Sequence, residues 1–265
     1  HPLLTEVEMR EAELLFADGA FDRAARMFEA VAANREFAHA DQARMRQARC
    51  VYELGKLDAA GLLYLRVTEF NGTKLAAAAI LAGAKCFYLT EQYSKARSGL
   101  ERIARLNVPE AAEANQWLAR SYLKDKQPNQ ALTVLDAALL RFRTGPQRAE
   151  LELARIDTLY ELASRKSQTV ELYADFAKKY PEHELAGQAQ YMAALTALDV
   201  DDHATSKRYS DSFLQQFSGH SLTPDVLFIA AESRLLLGEY SDAAREYRRF
   251  LQSSARQANG EHANA

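Results

Sequence analysis

Three basic residues recur at matched intervals: Arg49, Lys85 and Arg120. Each has an apolar or polar neighbour four residues before it (Met45, Leu81, Gln116), and Tyr52, Tyr88 and Leu123 follow three residues after; Lys124 comes next. On a helix, offsets of three and four share one face. Such a surface suits charge-assisted hydrogen bonds to carboxylates, with tyrosine packing alongside. That is the chemistry of holding an acidic or C-terminal peptide segment, not of catalysis. A second, apolar patch is expected from Tyr191, Leu198, Phe228 and Leu235, suited to a partner helix or another copy of the chain.

Other chemistry is hard to assemble. The six histidines (His1, His39, His183, His203, His220, His262) fall mostly in turns, at unit ends and in the tails, and no pair has the i, i+4 spacing of a helical metal site. The group Asp199, Asp201, Asp202 and His203 reads as a solvated turn with capping acids, so no metal is assigned. There is no Gly-rich phosphate loop and no nucleophile motif. Neither a catalytic residue nor a cofactor is expected. Trp117 reads as helix-interface packing.

The elements that position the ladder follow from a longer period. A small residue recurs as Ala24, Ala60, Ala96, Ala131, Thr169, Ser206 and Ala243, at intervals of 36, 36, 35, 38, 37 and 37 residues. Four positions on stand Phe28, Tyr64, Leu100, Leu135, Tyr173, Ser210 and Tyr247. Three further stand Val31, Val67, Ile103, Ala138, Phe176, Phe213 and Phe250. Offsets of 0, 4 and 7 make one helical stripe, and a short side chain is needed where two helices cross at 8–10 Å. Ala60→Arg is therefore expected to cost more than ordinary overpacking. Thr169 and Ser206 imply looser packing in units five and six.

A period of this kind marks stacked helix pairs. Gly19, Gly55 and Gly238, five residues before the small position, close three of the first helices. Glu91 and Lys126 stand there in units three and four, with Pro128 in the fourth turn, and imply a different closure. Thr223-Pro224 reads as an N-cap with proline after it, and Thr5 with Glu8 as a capping box.

The stretch Glu232 to Phe250, with Leu237, Gly238, Tyr240, Ala243, Tyr247 and Phe250, resembles a tetratricopeptide repeat. The resemblance implies an all-α fold, a right-handed α-solenoid of about seven helix pairs over 1–252. The units lie near 5–40, 41–76, 77–111, 112–149, 150–186, 187–222 and 223–252, followed by a polar, disordered tail at 253–265. It also implies that the first helix of each pair lines a concave groove. The carboxylate clamp of chaperone-binding members is not matched, since Ala78 and Ala82 replace its basic residues. The stretch Leu172 to Leu198, with Tyr180-Pro181 and Ala189-Gln190-Tyr191-Met192, is similar to the longer repeats of bacterial periplasmic proteins, among them outer-membrane assembly lipoproteins and Tol–Pal accessory proteins.

The net charge is −3, unevenly placed. Residues 1–40 hold 4 basic and 8 acidic side chains, residues 41–126 hold 14 and 9, and residues 127–265 hold 15 and 19. The middle excess is too small for nucleic-acid binding. No run of 18 apolar residues is present, so no membrane insertion is expected. Cys50 and Cys86 occupy equivalent places in successive units, too far apart for a disulfide, and read as reduced and buried. The start at His1 rather than Met implies that an upstream segment was removed or not included. Three readings stand side by side: a periplasmic adaptor in envelope assembly, a cytoplasmic adaptor or co-chaperone, and a docking domain cut from a larger enzyme or secretion component. Homo-oligomerisation stays open.

Overall fold

Helices follow one another in pairs through the computed structural model. It describes the backbone of residues 2–145 and 147–263 and the side chains of 3–145 and 147–253. Fourteen α-helices and no strand occur among the described residues. They are α1 (Pro2–Ala17), α2 (Phe21–Ala33), α3 (Ala40–Glu53), α4 (Leu57–Arg66), α5 (Ala76–Leu89), α6 (Tyr93–Ala104), α7 (Ala111–Lys124) and α8 (Pro128–Arg141). They continue with α9 (Gln147–Tyr160), α10 (Thr169–Lys179), α11 (Ala186–Asp199), α12 (His203–Gln216), α13 (Thr223–Leu236) and α14 (Tyr240–Ala263). Of the tail expected at 253–265, all but Ser253 lies outside the described side chains, as do His1 and His262.

The chain divides into two compact units, His1–Gln147 and Arg148–Ala265. In the first, each core cluster joins three consecutive helices. Met9, Phe28 and Cys50 tie α1 to α2 and α3. Ala48, Ala60, Tyr64 and Cys86 tie α3 to α4 and α5, and Phe87, Leu100 and Leu118 tie α5 to α6 and α7. In the second unit, Leu153, Tyr173, Phe176 and Ala193 do the same for α9, α10 and α11. Cohesion between nearest neighbours is the signature of a solenoid.

The small position is buried in all seven pairs. Thr169 and Ser206 are as completely buried as the alanines, because their hydroxyls donate to Lys166 O (2.7 Å) and Ala194 O (2.9 Å). The expected looseness there has no counterpart in exposure.

Three expectations about helix ends are corrected. Gly19, Gly55 and Gly238 are left-handed, but so are Glu91 (φ 61°), Lys126 (φ 57°) and Asp201 (φ 61°). The closures are the same. Gly55 N donates to Tyr52 O and Lys56 N to Val51 O; Glu91 N donates to Tyr88 O and Gln92 N to Phe87 O. Two backbone bonds outweigh the strain of one side chain in that conformation. Pro128 opens α8 rather than closing the turn. Thr5 lies within α1, where its Oγ1 accepts from Asn34 Nδ2 (3.2 Å), so no capping box forms. Thr223 Oγ1 donates backwards to His220 O (2.7 Å) instead of capping α13.

The links between pairs have their own recurring device. Leu75 N donates to Thr73 Oγ1 (3.1 Å), Leu185 N to His183 Nδ1 (3.2 Å) and Leu222 N to His220 Nδ1 (3.1 Å). Each satisfies an N–H that the following helix cannot. Pair five departs from the rest, joining α9 to α10 through a 3-10 segment, Ala163–Gln168.

Candidate functional site

The first helices of unit one line a continuous channel. One stretch, about 670 Å³, lies against Met9, Glu13 and Phe16 of α1, Met45 and Arg49 of α3, and Ala82 of α5. The next, about 500 Å³, shares Arg49, Tyr64 and Ala82 and continues over Tyr52, Leu81 and Lys85 to Glu113 and Trp117 of α7. Alanines at 78 and 82 leave room because they are short, and the rise of neighbouring helices supplies the walls.

Met45, Arg49, Tyr52, Leu81 and Lys85 border this channel, and Arg120 does not line either cavity. Leu81 is buried in its floor rather than presented on an open face. Tyr88 is half-buried, edge-on to Trp117 at 5.1 Å between centroids. Gln116 is half-buried and Lys124 exposed, and neither borders the two cavities.

The ladder is not a bare basic surface. Arg49 pairs with Glu53 (2.6 Å) and lies over the Tyr52 ring (5.1 Å). Lys85 pairs with Glu113 of the next first helix. Among the described residues Arg120 makes no ion pair; its guanidinium sits 5.0 Å over Trp117. Two of the three positive charges are therefore answered from inside the site, which a ladder drawn from three positions alone does not register.

Trp117 has a second place beside the helix-interface packing expected of it. It does pack against the α5–α7 core, yet one face borders the channel. Its Nε1 donates to Glu113 Oε1 (3.2 Å), so Glu113 holds both Lys85 and the indole. The available signal was spacing: Glu113, Trp117 and Arg120 lie four and three residues apart on α7, one helical face.

Burial pushes the Tyr64 hydroxyl up to about 12, with the nearby Cys86 adding to it. Burial also raises Tyr88, partly countered by Arg120. Both stay neutral donors at physiological pH. Cys50 and Cys86 are free and buried, and desolvation raises each thiol to about 11.

In unit two the equivalent ladder positions are Thr158, Leu195 and Glu232, and no basic row forms. Of the second patch, Phe228 is exposed and its ring meets Tyr247 (6.1 Å) and Phe250 (5.8 Å) of α14. Leu235 is exposed, while Tyr191 and Leu198 are half-buried. The acidic turn has structural work of its own. Asp199 accepts from Tyr160 (2.9 Å) and pairs with Lys166 (2.9 Å), and Asp202 caps α12 by accepting from Thr205 N (3.1 Å).

Residues 9–73 match a family model described as tetratricopeptide repeat, and residues 113–222 match one described as outer membrane lipoprotein (YfiO). No curated protein sequence matches the chain. Among solved structures, the C-terminal part of a TPR repeat-containing protein from Cytophaga hutchinsonii has TM-score 0.69 at 15% identity, covering 92% of this chain and 94% of that one. A tetratricopeptide repeat protein from Parabacteroides merdae has TM-score 0.65 at 12% identity, covering 94% and 92%. At such identities the structures speak for the fold. The repeat, the helix-pair packing and the matches together show an all-α solenoid of tetratricopeptide-like helix pairs.

Proposed function

We propose that the chain is a non-catalytic adaptor that holds an extended segment of a partner protein along the first-helix channel of unit one. The observation that carries this is the channel itself. It combines an apolar floor with the half-buried rings of Tyr52 and Trp117, and beside it, 5.0 Å over Trp117, lies the Arg120 guanidinium, which has no ion-pair partner among the described residues. Aromatic and arginine side chains in partly desolvated clefts are the usual anchors of protein recognition. The partner segment carries an apolar side chain for the pocket between Tyr52 and Trp117 and an acidic group, side chain or C-terminus, for Arg120. The pre-formed pairs Arg49–Glu53 and Lys85–Glu113 position the walls and set which charges are tolerated. The match of residues 113–222 to an outer membrane lipoprotein model supports placing the adaptor on the periplasmic side of a bacterial envelope. No helix among the described residues is long and apolar enough to cross a membrane.

A photo-crosslinking amino acid at Tyr52 tests this in native cells, with the same probe at Arg23 of α2 as the outer-face control. Adducts are expected from Tyr52 only, in the envelope fraction, and Trp117→Ala is expected to weaken the captured complex at least about tenfold. Equal adducts from both positions, or an unchanged yield in Trp117→Ala, would sink the channel reading. Adducts in the cytoplasmic fraction would move the adaptor there.

A further inference from the structure

We infer that the partner segment is doubly acidic: an extended stretch presenting acid, apolar, apolar and acid at residues i, i+2, i+4 and i+6. This deepens the channel reading and rests on it. What carries it is which charges along the channel the protein answers by itself and which it leaves open.

Arg46, Arg49, Lys85 and Arg120 stand in or beside the channel on α3, α5 and α7. In the middle, Arg49 is taken by Glu53 and Lys85 by Glu113. At the two ends, Arg46 and Arg120 are exposed and make no ion pair among the described residues. Each instead lies over an aromatic ring. The Arg46 guanidinium sits 5.5 Å from Phe16 of α1, which borders the first cavity. That of Arg120 sits 5.0 Å from Trp117, which borders the second. Stacking holds the planar group in place and leaves its N–H edge free for a carboxylate. The two ends are alike although they occupy different repeat positions, Arg46 fourteen residues before Ala60 and Arg120 eleven before Ala131.

The acids of the channel agree with this sorting. Glu13 borders the first cavity and is paired with Arg10 (3.3 Å). Glu110 and Glu113 border the second. A partner acid is therefore repelled along the middle of the channel and attracted at its ends. Between those ends the contacts on offer are apolar, Met45 and Leu75 in the first cavity, Leu81 and Trp117 in the second.

The spacing follows from the helices. From α3 to α7 is two first-helix steps of about 8–10 Å each. The resulting span of about 16–20 Å takes about five or six residues of extended chain at 3.3–3.6 Å per residue. Alternate side chains of such a chain point to opposite sides, so both acids face the channel only at an even spacing. Six satisfies both conditions, and i+2 and i+4 then face the two cavities.

Isothermal titration calorimetry on the chain 1–265 tests this with the peptide acetyl-Glu-Ser-Leu-Ser-Phe-Ser-Glu-amide, whose two side-chain acids are its only charges. The control has the same composition with the acids inside, acetyl-Leu-Ser-Glu-Ser-Glu-Ser-Phe-amide. The first peptide is expected to bind at least about tenfold more tightly than the control. Replacing either of its acids by glutamine is expected to weaken it about threefold. Arg46→Gln should make binding indifferent to one of those replacements and Arg120→Gln to the other, which also reads the direction of the segment. Both variants change exposed side chains and should keep the native circular dichroism. Equal affinity for the two peptides, with both lost in Trp117→Ala, overturns the acid spacing and leaves the channel reading standing. Arginine variants that stay sensitive to both replacements do the same. Peptide binding untouched by Trp117→Ala overturns both readings. No binding of the first peptide overturns this inference, while the crosslinks from Tyr52 still judge the channel.

Discussion

Glu91, Lys126 and Asp201 hold a conformation that glycine adopts freely and that costs an ordinary residue about 1–2 kcal/mol. They stand where Gly19, Gly55 and Gly238 stand in other pairs and make the same two closing bonds. A different turn at Glu91 and Lys126 would follow from what a residue prefers, not from what its neighbours impose. Glu91→Gly and Lys126→Gly are each expected to raise stability by about 0.5–1 kcal/mol, with the entropy of the freer unfolded chain offsetting part of the relieved strain. Urea titration checks this: the midpoint should rise at constant m. Unchanged or lowered midpoints would mean that the side chains contribute contacts worth more than the strain. The cysteines behave as the period implies. Equivalent, buried and desolvated, they remain protonated thiols at neutral pH.

Between elements, α4 and α5 approach closely where two glycines meet. A Cβ on Gly83 of α5 would come within 3.1 Å of Gly61 O on α4, and one on Gly61 would meet Phe87 Cε1 at 3.0 Å. Alanine is preferred over glycine within a helix by about 1 kcal/mol, so propensity alone makes Gly83→Ala stabilising. The crossing decides otherwise, because the obstructing atom is a backbone carbonyl that moves only with its helix. Gly83→Ala is expected to lower the thermal midpoint; a raised midpoint would mean that α4 and α5 separate at little cost. Pair five solves a different joining problem. Its 3-10 segment is pinned where Lys166 lies 4.4 Å over Tyr160 and both engage Asp199. Lys166 does not stand out in the sequence and Asp199 does so only as one acid of a turn, since their pairing depends on a loop with no counterpart in the other pairs.

At the scale of the molecule, cohesion is local. Each core cluster joins only consecutive helices, so damage should stay near its source. Ala60→Arg forces a long charged side chain into a fully buried position and is expected to cost more than about 3 kcal/mol. Hydrogen exchange should show protection lost across α3 to α5 and kept across α10 to α13. Uniform loss through both units would refute that locality. The helix pairs themselves were legible without coordinates: a small residue every 35 to 38 positions, with apolar partners four and seven further on, leaves a helix only one face to bury. The equivalent places of Arg49, Lys85 and Arg120 on successive first helices follow from the same period. Periodicity carries no information about residues that meet across pairs without sharing a register. Glu113 neutralising Lys85 while holding Trp117, and Arg120 left without an ion-pair partner among the described residues, depend on which helix lies against which. Local pattern determines a helix and its buried stripe; only packing in three dimensions determines which charges are answered and which faces are left to meet another molecule.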